Sequence, residues 1–301
     1  MLRTVTVGLD ASPESRAAAE WAAREAGQRG LVLKIVHVRE PAPAHVAQAP
    51  PVGAEPRATW AEELQQESAE GLRLRHPGVE MITELLTGGP RELLTQEADA
   101  AELLALGSRG LGGFGGFLLG SVGLHVAAHA RRPVVLVRAG EQAADEHLTD
   151  PAGMPSAAAP FRPVVLGLDI EEPDEALLGF AFDNAARRAA RLRVVHGWSL
   201  PPTYEYGAAV GYDPRDTFGR HMAAELAEVL RPWRQKFPDV EVVEASRYGS
   251  AASTLLQAAR DASLVVVGRR IRTGGLGAHI GHVTHAVLHH STAPVAVVAH
   301  G

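Results

Sequence analysis

The strongest constraint on this chain is that it repeats itself. Thr4-Val5-Thr6-Val7-Gly8-Leu9-Asp10 returns 159 residues later as Pro163-Val164-Val165-Leu166-Gly167-Leu168-Asp169, and Val36-His37 returns at the same interval as Val195-His196. Further along, Leu104-Ala105-Leu106-Gly107 returns as Val265-Val266-Val267-Gly268, and Pro133-Val134-Val135-Leu136-Val137 as Pro294-Val295-Ala296-Val297-Val298, both at 161. A drift of two residues over a whole half is a loop insertion in otherwise shared spacing, so the 301 residues should fold as two copies of one domain. The halves are assigned to residues 1–140 and 162–301. Residues 141–161, rich in Ala, Asp, Glu, Pro and Ser without periodicity, read as a linker.

Within each half, short β-rich runs alternate with longer Ala-rich helical stretches, the pattern of βαβ units on a parallel sheet. Strands are expected near 3–9, 31–38, 79–86, 102–107 and 133–138, and again near 163–168, 192–198, 240–246, 263–268 and 294–299. The fold class is therefore α/β, two tandem doubly wound five-stranded parallel-sheet domains of Rossmann-like layout. Ser12-Pro13 marks the start of the first helix, a capping hydroxyl followed by a proline whose missing N–H costs nothing there. Ala18, Trp21, Ala22 and Glu25 follow at helical spacing, the apolar members facing inward. The Pro-rich stretch Arg39 to Pro56 is expected to be a surface loop on the side where open parallel sheets bind ligands.

Composition excludes several functions. The net charge is −6, the only lysines are Lys34 and Lys236, and no Arg-rich block compensates, so a phosphate-backbone surface has little to work with and nucleic acid is not an expected partner. The absence of cysteine removes disulfides, thiolate metal sites and thiol nucleophiles together. No apolar run approaches the roughly 18 residues needed to span a membrane. The N-terminus enters a strand pattern without the features of a signal peptide. A cytoplasmic location is the expectation.

The densest chemical signal is Leu106-Gly107-Ser108-Arg109-Gly110-Leu111-Gly112-Gly113-Phe114-Gly115-Gly116-Phe117-Leu118-Leu119-Gly120-Ser121-Val122. It follows a strand and precedes an Ala-rich helix starting near Ser121. Glycines bring backbone amides close to a ligand, and the helix N-terminus adds unpaired donors and a partial positive charge, which together make a phosphate cradle. Ser121 is placed to cap that helix while offering its hydroxyl to a phosphate. A flexible loop that binds nothing is the plainer reading. Gly110 to Gly115 satisfies G-x-G-x-x-G but after a fourth strand, so it is weak as a dinucleotide fingerprint. The lysine of a Walker loop is absent, as is a G-x-S-x-G nucleophile elbow around Ser108 or Ser121.

These residues resemble the universal stress proteins, here as a tandem pair. The ATP-binding members of that family carry G-x2-G-x9-G-S/T, and this chain has Gly107-x2-Gly110-x9-Gly120-Ser121, with Val7-Gly8-Leu9-Asp10-Ala11-Ser12 and His37-Val38 also similar. The resemblance implies an adenine nucleotide alpha hydrolase-like fold with ATP, together with Mg2+, across the carboxyl ends of the strands. It places Asp10 at the ribose or the phosphate-bound metal, Val38 at adenine, and Gly107, Gly110, Gly120 and Ser121 at the phosphates. Gly8, Ser108, Arg109, Gly112, Gly113 and Val122 complete the implied contact set of the first half. Capping of the first helix is the plainer role for Asp10, and the two are compatible.

The second half departs from the motif. Gly268 and Gly281 keep the spacing and Asp169 is retained, but Ile271 replaces the second glycine and His282 the serine. A β-branched residue disfavours positive φ, so close backbone approach to a phosphate is impaired there. Arg269, Arg270 and Arg272 offer side chains to an anion instead. His279-Ile280-Gly281-His282 spells the HIGH motif that resembles class I aminoacyl-tRNA synthetases, but it stands before the last helix, not after a first strand. His282, His285 and His289 share a helical face, a conceivable metal triad that no carboxylate joins at that spacing. His125 and His129 lack the glutamate of H-E-x-x-H.

The resemblance implies a cytoplasmic, nucleotide-dependent stress-response regulator. Members pair through their last strands, which makes Pro133 to Arg138 and Pro294 to Ala299 the matching edges of a homo-oligomer or an intramolecular pseudo-dimer; an exposed apolar edge otherwise invites aggregation. A protein partner is implied without being identified. Two other readings stay open: a slow ATPase or phosphotransferase, against which stands the lack of a visible general base, and a nucleotide-independent scaffold.

Overall fold

The computed structural model describes residues 3–41, 69–108, 120–200, 214–271 and 280–301. The chain divides into two compact units, Met1–Gln142 and Ala143–Gly301.

In the first unit the described elements are β1 (Thr4–Gly8), α1 (Pro13–Arg29), β2 (Val32–Arg39), a helical stretch α2 (69–75), β3 (Met81–Thr87), α3 (Pro90–Ala100), β4 (Leu103–Ser108), α4 (Ser121–His129) and β5 (Val134–Arg138). All pairings are parallel, in the order β3-β2-β1-β4-β5. The chain winds outward from β1 in both directions, so the β1–β4 junction is the switch point at which open sheets bind ligands. Every residue of β1 is buried, as expected of a strand covered on both faces. Ser12 caps α1, its hydroxyl accepting from the Ser15 amide at 3.1 Å with Pro13 at the start, and Gly30 ends the helix in the left-handed conformation. Ala18, Trp21 and Ala22 face the core as the spacing predicts, and Glu25 is buried with them, 2.6 Å from the Arg29 guanidinium.

The end of α2 and the residue after it are tied to α1 through Glu20, which accepts from Arg75 Nε at 2.6 Å and sits 2.8 Å from His76 Nε2. Partial burial opposes ionisation of Glu20, but these hydrogen bonds and the neighbouring positive charge outweigh it and hold its pKa below the usual carboxylate value. A depressed folded-state pKa contributes stability that is present above the unfolded value and lost as pH falls through the folded one. Between about pH 6 and about pH 3 the thermal midpoint of the wild type should therefore fall more steeply than that of Glu20→Gln. Parallel midpoint curves for the two proteins would show that Glu20 carries none of the acid lability.

The second unit repeats the plan with β6 (Val164–Gly167), α5 (Glu175–Arg187), β7 (Leu192–Trp198), α6 (Pro214–Lys236), β8 (Val242–Tyr248), α7 (Ala251–Ala258), β9 (Leu264–Arg270), α8 (His282–His290) and β10 (Val295–His300). Its parallel order is β8-β7-β6-β9-β10, the same winding. Most of the segment read as a linker folds with this unit. Residues 143–146 form a 3-10 turn, and His147 and Phe161 pair as an antiparallel bridge with rings 3.9 Å apart. Glu146 lies buried 4.0 Å from the Arg188 guanidinium. Single side chains hold this segment, not a periodic face, so its sequence carries no pattern.

Candidate functional site

The carboxyl ends of β1, β2 and β4 and the start of α4 converge on one edge of the first sheet. Asp10 leaves β1 exposed, and its Oδ1 accepts from the Ser12 amide at 3.1 Å and from Ser12 Oγ at 2.5 Å. It therefore organises the turn before α1, while Ser12 itself caps the helix. Burial opposes ionisation of Asp10, but the Ser12 and Ser15 hydroxyls and nearby amides prevail, so its pKa lies below the usual value and it is a carboxylate at neutral pH. The intervening Ala11 has φ +66°, a conformation L-residues rarely hold, and such strain concentrates at binding turns. His37 Nδ1 lies 2.7 Å from the Leu9 carbonyl, tying the end of β2 to that of β1. His196 meets the Leu168 carbonyl at 3.1 Å in the second unit, so the repeated histidine is a strand tie in both.

Val38 stands next to last on β2, half-buried, and Gly8 ends β1 beneath Leu106 and Leu94. Gly107 and Ser108 end β4. A Cβ on Gly107 would lie 2.5 Å from the Glu14 carbonyl carbon and 2.6 Å from the Ser15 nitrogen, so this glycine admits the first turn of α1 against β4. Gly120 is the N-cap of α4, with φ −62° and ψ 140°, and Ser121 is the first helical residue, exposed. Ser121 therefore does not cap the helix as expected, since its backbone is already inside it. Val122 follows, half-buried. Arg109, Gly110, Gly112 and Gly113 lie outside the described residues, as does the Pro-rich loop beyond residue 41.

Among the described residues Gly120 has no conformational or packing reason to be glycine: its φ is ordinary and a Cβ there meets no described atom within 4 Å. Among the described residues no side chain caps α4, whereas α1 is capped by Ser12. A helix start offers N–H donors and a positive partial charge to an anion. The donor set fits a nucleotide: an ionised carboxylate for hydroxyls or a metal ion, and amides for phosphates.

The second unit keeps Asp169, whose Oδ1 accepts from the Glu171 amide at 3.1 Å, and Gly281 at the start of α8, where among the described residues no side chain caps the helix and no atom lies within 4 Å of an added Cβ. Gly268 packs against His300 and Leu177. Ile271 donates its amide to the His300 carbonyl at 2.6 Å, so the position of the lost glycine belongs to the sheet. A cavity of about 550 Å³ opens at these strand ends, walled by Trp198 of β7 and by Phe218, Met222 and Glu225 of α6. The sequence reading missed this wall. The signal was the helical spacing of 218, 222 and 225, which by itself looks like an ordinary core stripe. Among the described residues no group of three or more His, Asp or Glu side chains is placed to hold a metal ion; the His285 and His289 rings instead lie 4.3 Å apart, tilted by 39°. No described helix is long and apolar enough to cross a membrane.

The sequence pattern of the universal stress protein family matches residues 1–138 and 160–299. A universal stress protein of Mycolicibacterium smegmatis is 32% identical over 304 residues, covering 98% of this chain and 96% of the relative. Universal stress protein Rv2005c of Mycobacterium tuberculosis is 34% identical over 301 residues, covering 97% and 96%. The crystal structure of a universal stress protein from Archaeoglobus fulgidus superposes with a TM-score of 0.66 at 16% identity, covering 99% of this chain and 98% of that one, a likeness of fold. The chain thus belongs to the universal stress protein family, as a tandem of two such domains.

Proposed function

We propose that this chain is an adenine-nucleotide-binding regulator of the stress response, acting in the cytoplasm, with ATP and Mg2+ held at the carboxyl edge of the first unit. The observation that carries this reading is Gly120, a glycine required neither by its φ nor by any described neighbour, at the start of α4, which no described side chain caps. A side chain there would occupy the space a phosphate needs. Asp10 presents an ionised carboxylate to the ribose hydroxyls or the phosphate-bound magnesium ion, and the end of β2 at Val38 flanks the base. The bound group supplies negative charge that α4 and the glycine loop are built to receive. Occupancy then biases the turn Asp10-Ala11-Ser12, giving a partner protein two states to distinguish.

The test is native mass spectrometry of freshly purified protein, with the released small molecules identified by chromatography, for wild type and Gly120→Val. ATP on the wild type and its loss from the variant are expected. A wild type that carries no nucleotide and shows no thermal shift with added ATP and magnesium would overturn the reading in favour of a scaffold.

A further inference from the structure

The two units end their sheets on equivalent outer strands, β3 and β8, but the residues along those strands differ in what they allow at the open edge. Among the described residues β8 pairs only with β7, and β3 only with β2. The Leu192 amide donates to the Glu241 carbonyl at 2.9 Å and the Gly249 amide to the Trp198 carbonyl at 2.8 Å. In a parallel ladder that alternation turns the backbone groups of Val243, Ala245 and Arg247 toward β7 and those of Val242, Glu244, Ser246 and Tyr248 outward. The Val242 carbonyl accepts from Arg234 Nη2 at 3.3 Å and keeps a second lone pair. Such a row of outward amides and carbonyls is a template for another strand unless something guards it.

We propose that β8 pairs antiparallel with β8 of a second copy of this chain, joining the two copies edge to edge. One symmetric register uses every outward group of the strand. Glu244 faces Ser246 of the second copy and Val242 faces its Tyr248, each as a hydrogen-bonded pair, and the two-fold axis repeats both. Ala245 then meets Ala245 at the axis as a non-hydrogen-bonded pair, with Cα atoms about 4.5 Å apart. Val243, 39% exposed, lies opposite Arg247, whose aliphatic stem covers it. Tyr248, 42% exposed, packs on Val242. No like charges stand directly opposite, and Glu244 is already matched by Arg234 at 2.7 Å.

The first unit carries the guarded form of the same edge. There the Leu33 amide donates to the Glu80 carbonyl at 2.8 Å and the Gly88 amide to the Arg39 carbonyl at 3.0 Å, so Met81, Thr83, Leu85 and Thr87 face outward. The register that uses all four sets Glu84 against Glu84 at the axis, and like charges directly opposite destabilise a strand pair. Lys34, the partner of Glu84 at 2.6 Å, is shared with Glu97. Glu84 precedes Ala245 by 161 residues, the interval at which the later parts of the two halves repeat. The second unit therefore has a small neutral residue at the one position where the first has a repelling charge. Seven residues a side bury far less than the roughly 800 Å² per partner of a standard interface, so the dimer is weak and reversible.

Nothing in this pairing depends on nucleotide. Sedimentation velocity of the full chain between about 1 µM and about 1 mM should show self-association that rises with concentration. Ala245→Glu gives β8 the residue found at the centre of β3, and Ser246→Pro removes an outward N–H while leaving the bonds to β7 intact. Each should raise the dissociation constant at least about tenfold. The natural chain has no cysteine, so single cysteines report the register. Ala245→Cys should oxidise to an interchain disulfide, because a disulfide spans that Cα separation, whereas Val243→Cys and Arg247→Cys should not. Thermal unfolding confirms that each variant is folded. Three results would overturn the proposal: a chain that stays monomeric at the highest concentration, association as tight in Ala245→Glu and Ser246→Pro as in the wild type, or cross-linking no greater at 245 than at 243 and 247.

Discussion

Gly107→Ala should lower stability by about 3 kcal/mol, the upper end of what overpacking a well-filled site costs. The added methyl would sit 2.5 Å from the Glu14 carbonyl carbon and 2.6 Å from the Ser15 nitrogen, both backbone atoms. They cannot turn aside as a side chain can. The first turn of α1 is also fixed by the Ser12 cap and the Ser15 hydroxyl, which contacts the Ser12 carbonyl at 3.1 Å and the Asp10 amide at 3.3 Å. Relief requires α1 to lift from β4, and with it the turn that carries Asp10. Gly120→Val should by contrast stay within about 1 kcal/mol of the wild type, the cost of a poorer N-cap residue, while losing ATP. Urea unfolding of both variants beside ATP titrations separates the two cases. A Gly107→Ala protein as stable as the wild type would show that α1 adjusts freely, and the close approach would then not explain the glycine.

That contrast marks how far the sequence reads. The repeat exposed the duplicated α/β fold because the strands at the centre of each sheet are buried on both faces and read as short apolar runs. The ten expected strands lie within two residues of those found, and the two-residue differences fall at β3, β8 and the end of β9. β3 and β8 are partly exposed along their length, so hydrogen bonding to β2 and β7 sets their limits, not hydrophobicity. In the site, Asp10 and the Ser12-Pro13 helix start were legible because turn and cap chemistry is local. The motif could not separate Gly107, which makes room for a helix, from Gly120, which makes room for none of the described residues. That difference depends on what lies opposite each residue in space.

The same limit hid the second unit's cavity and most of its docked N-terminal segment. Phe218, Met222 and Glu225 share a face of α6, but only the fold turns that face over the strand ends. Residues 143–161 have no periodicity because they are held by buried Glu146 and Arg188, by the His147–Phe161 ring contact and by the Arg162 guanidinium donating to the His147 carbonyl. Hydrophobic patterning detects faces that repeat. It does not detect a segment fixed by five individual side chains.

Breaking the Glu25–Arg29 pair should destabilise the protein strongly, because both charges are buried. Both side chains are nearly dry, at 0% and 4% exposure, with Arg29 Nε 2.6 Å from Glu25 Oε1. A carboxylate near a helix C-terminus also faces the negative end of the helix dipole, while a guanidinium in the last turn is favoured there. Glu25 therefore depends on Arg29 more than Arg29 depends on Glu25. Arg29→Met should cost about 3 to 5 kcal/mol by leaving a buried carboxylate without this countercharge. Glu25→Leu should cost less, because Arg29 ends the helix and its long side chain can reach solvent. The double replacement should recover most of the loss, since two apolar side chains fill the space without a desolvated charge. A double-mutant cycle by urea unfolding reads this directly. Single-variant losses that add to within about 0.5 kcal/mol would mean the two charges do not depend on each other and would refute the argument. The pair also matters for the site: α1 begins at the Ser12 cap beside Asp10 and packs its first turn under Gly107, so loosening its far end weakens the helix on which the carboxylate turn is mounted.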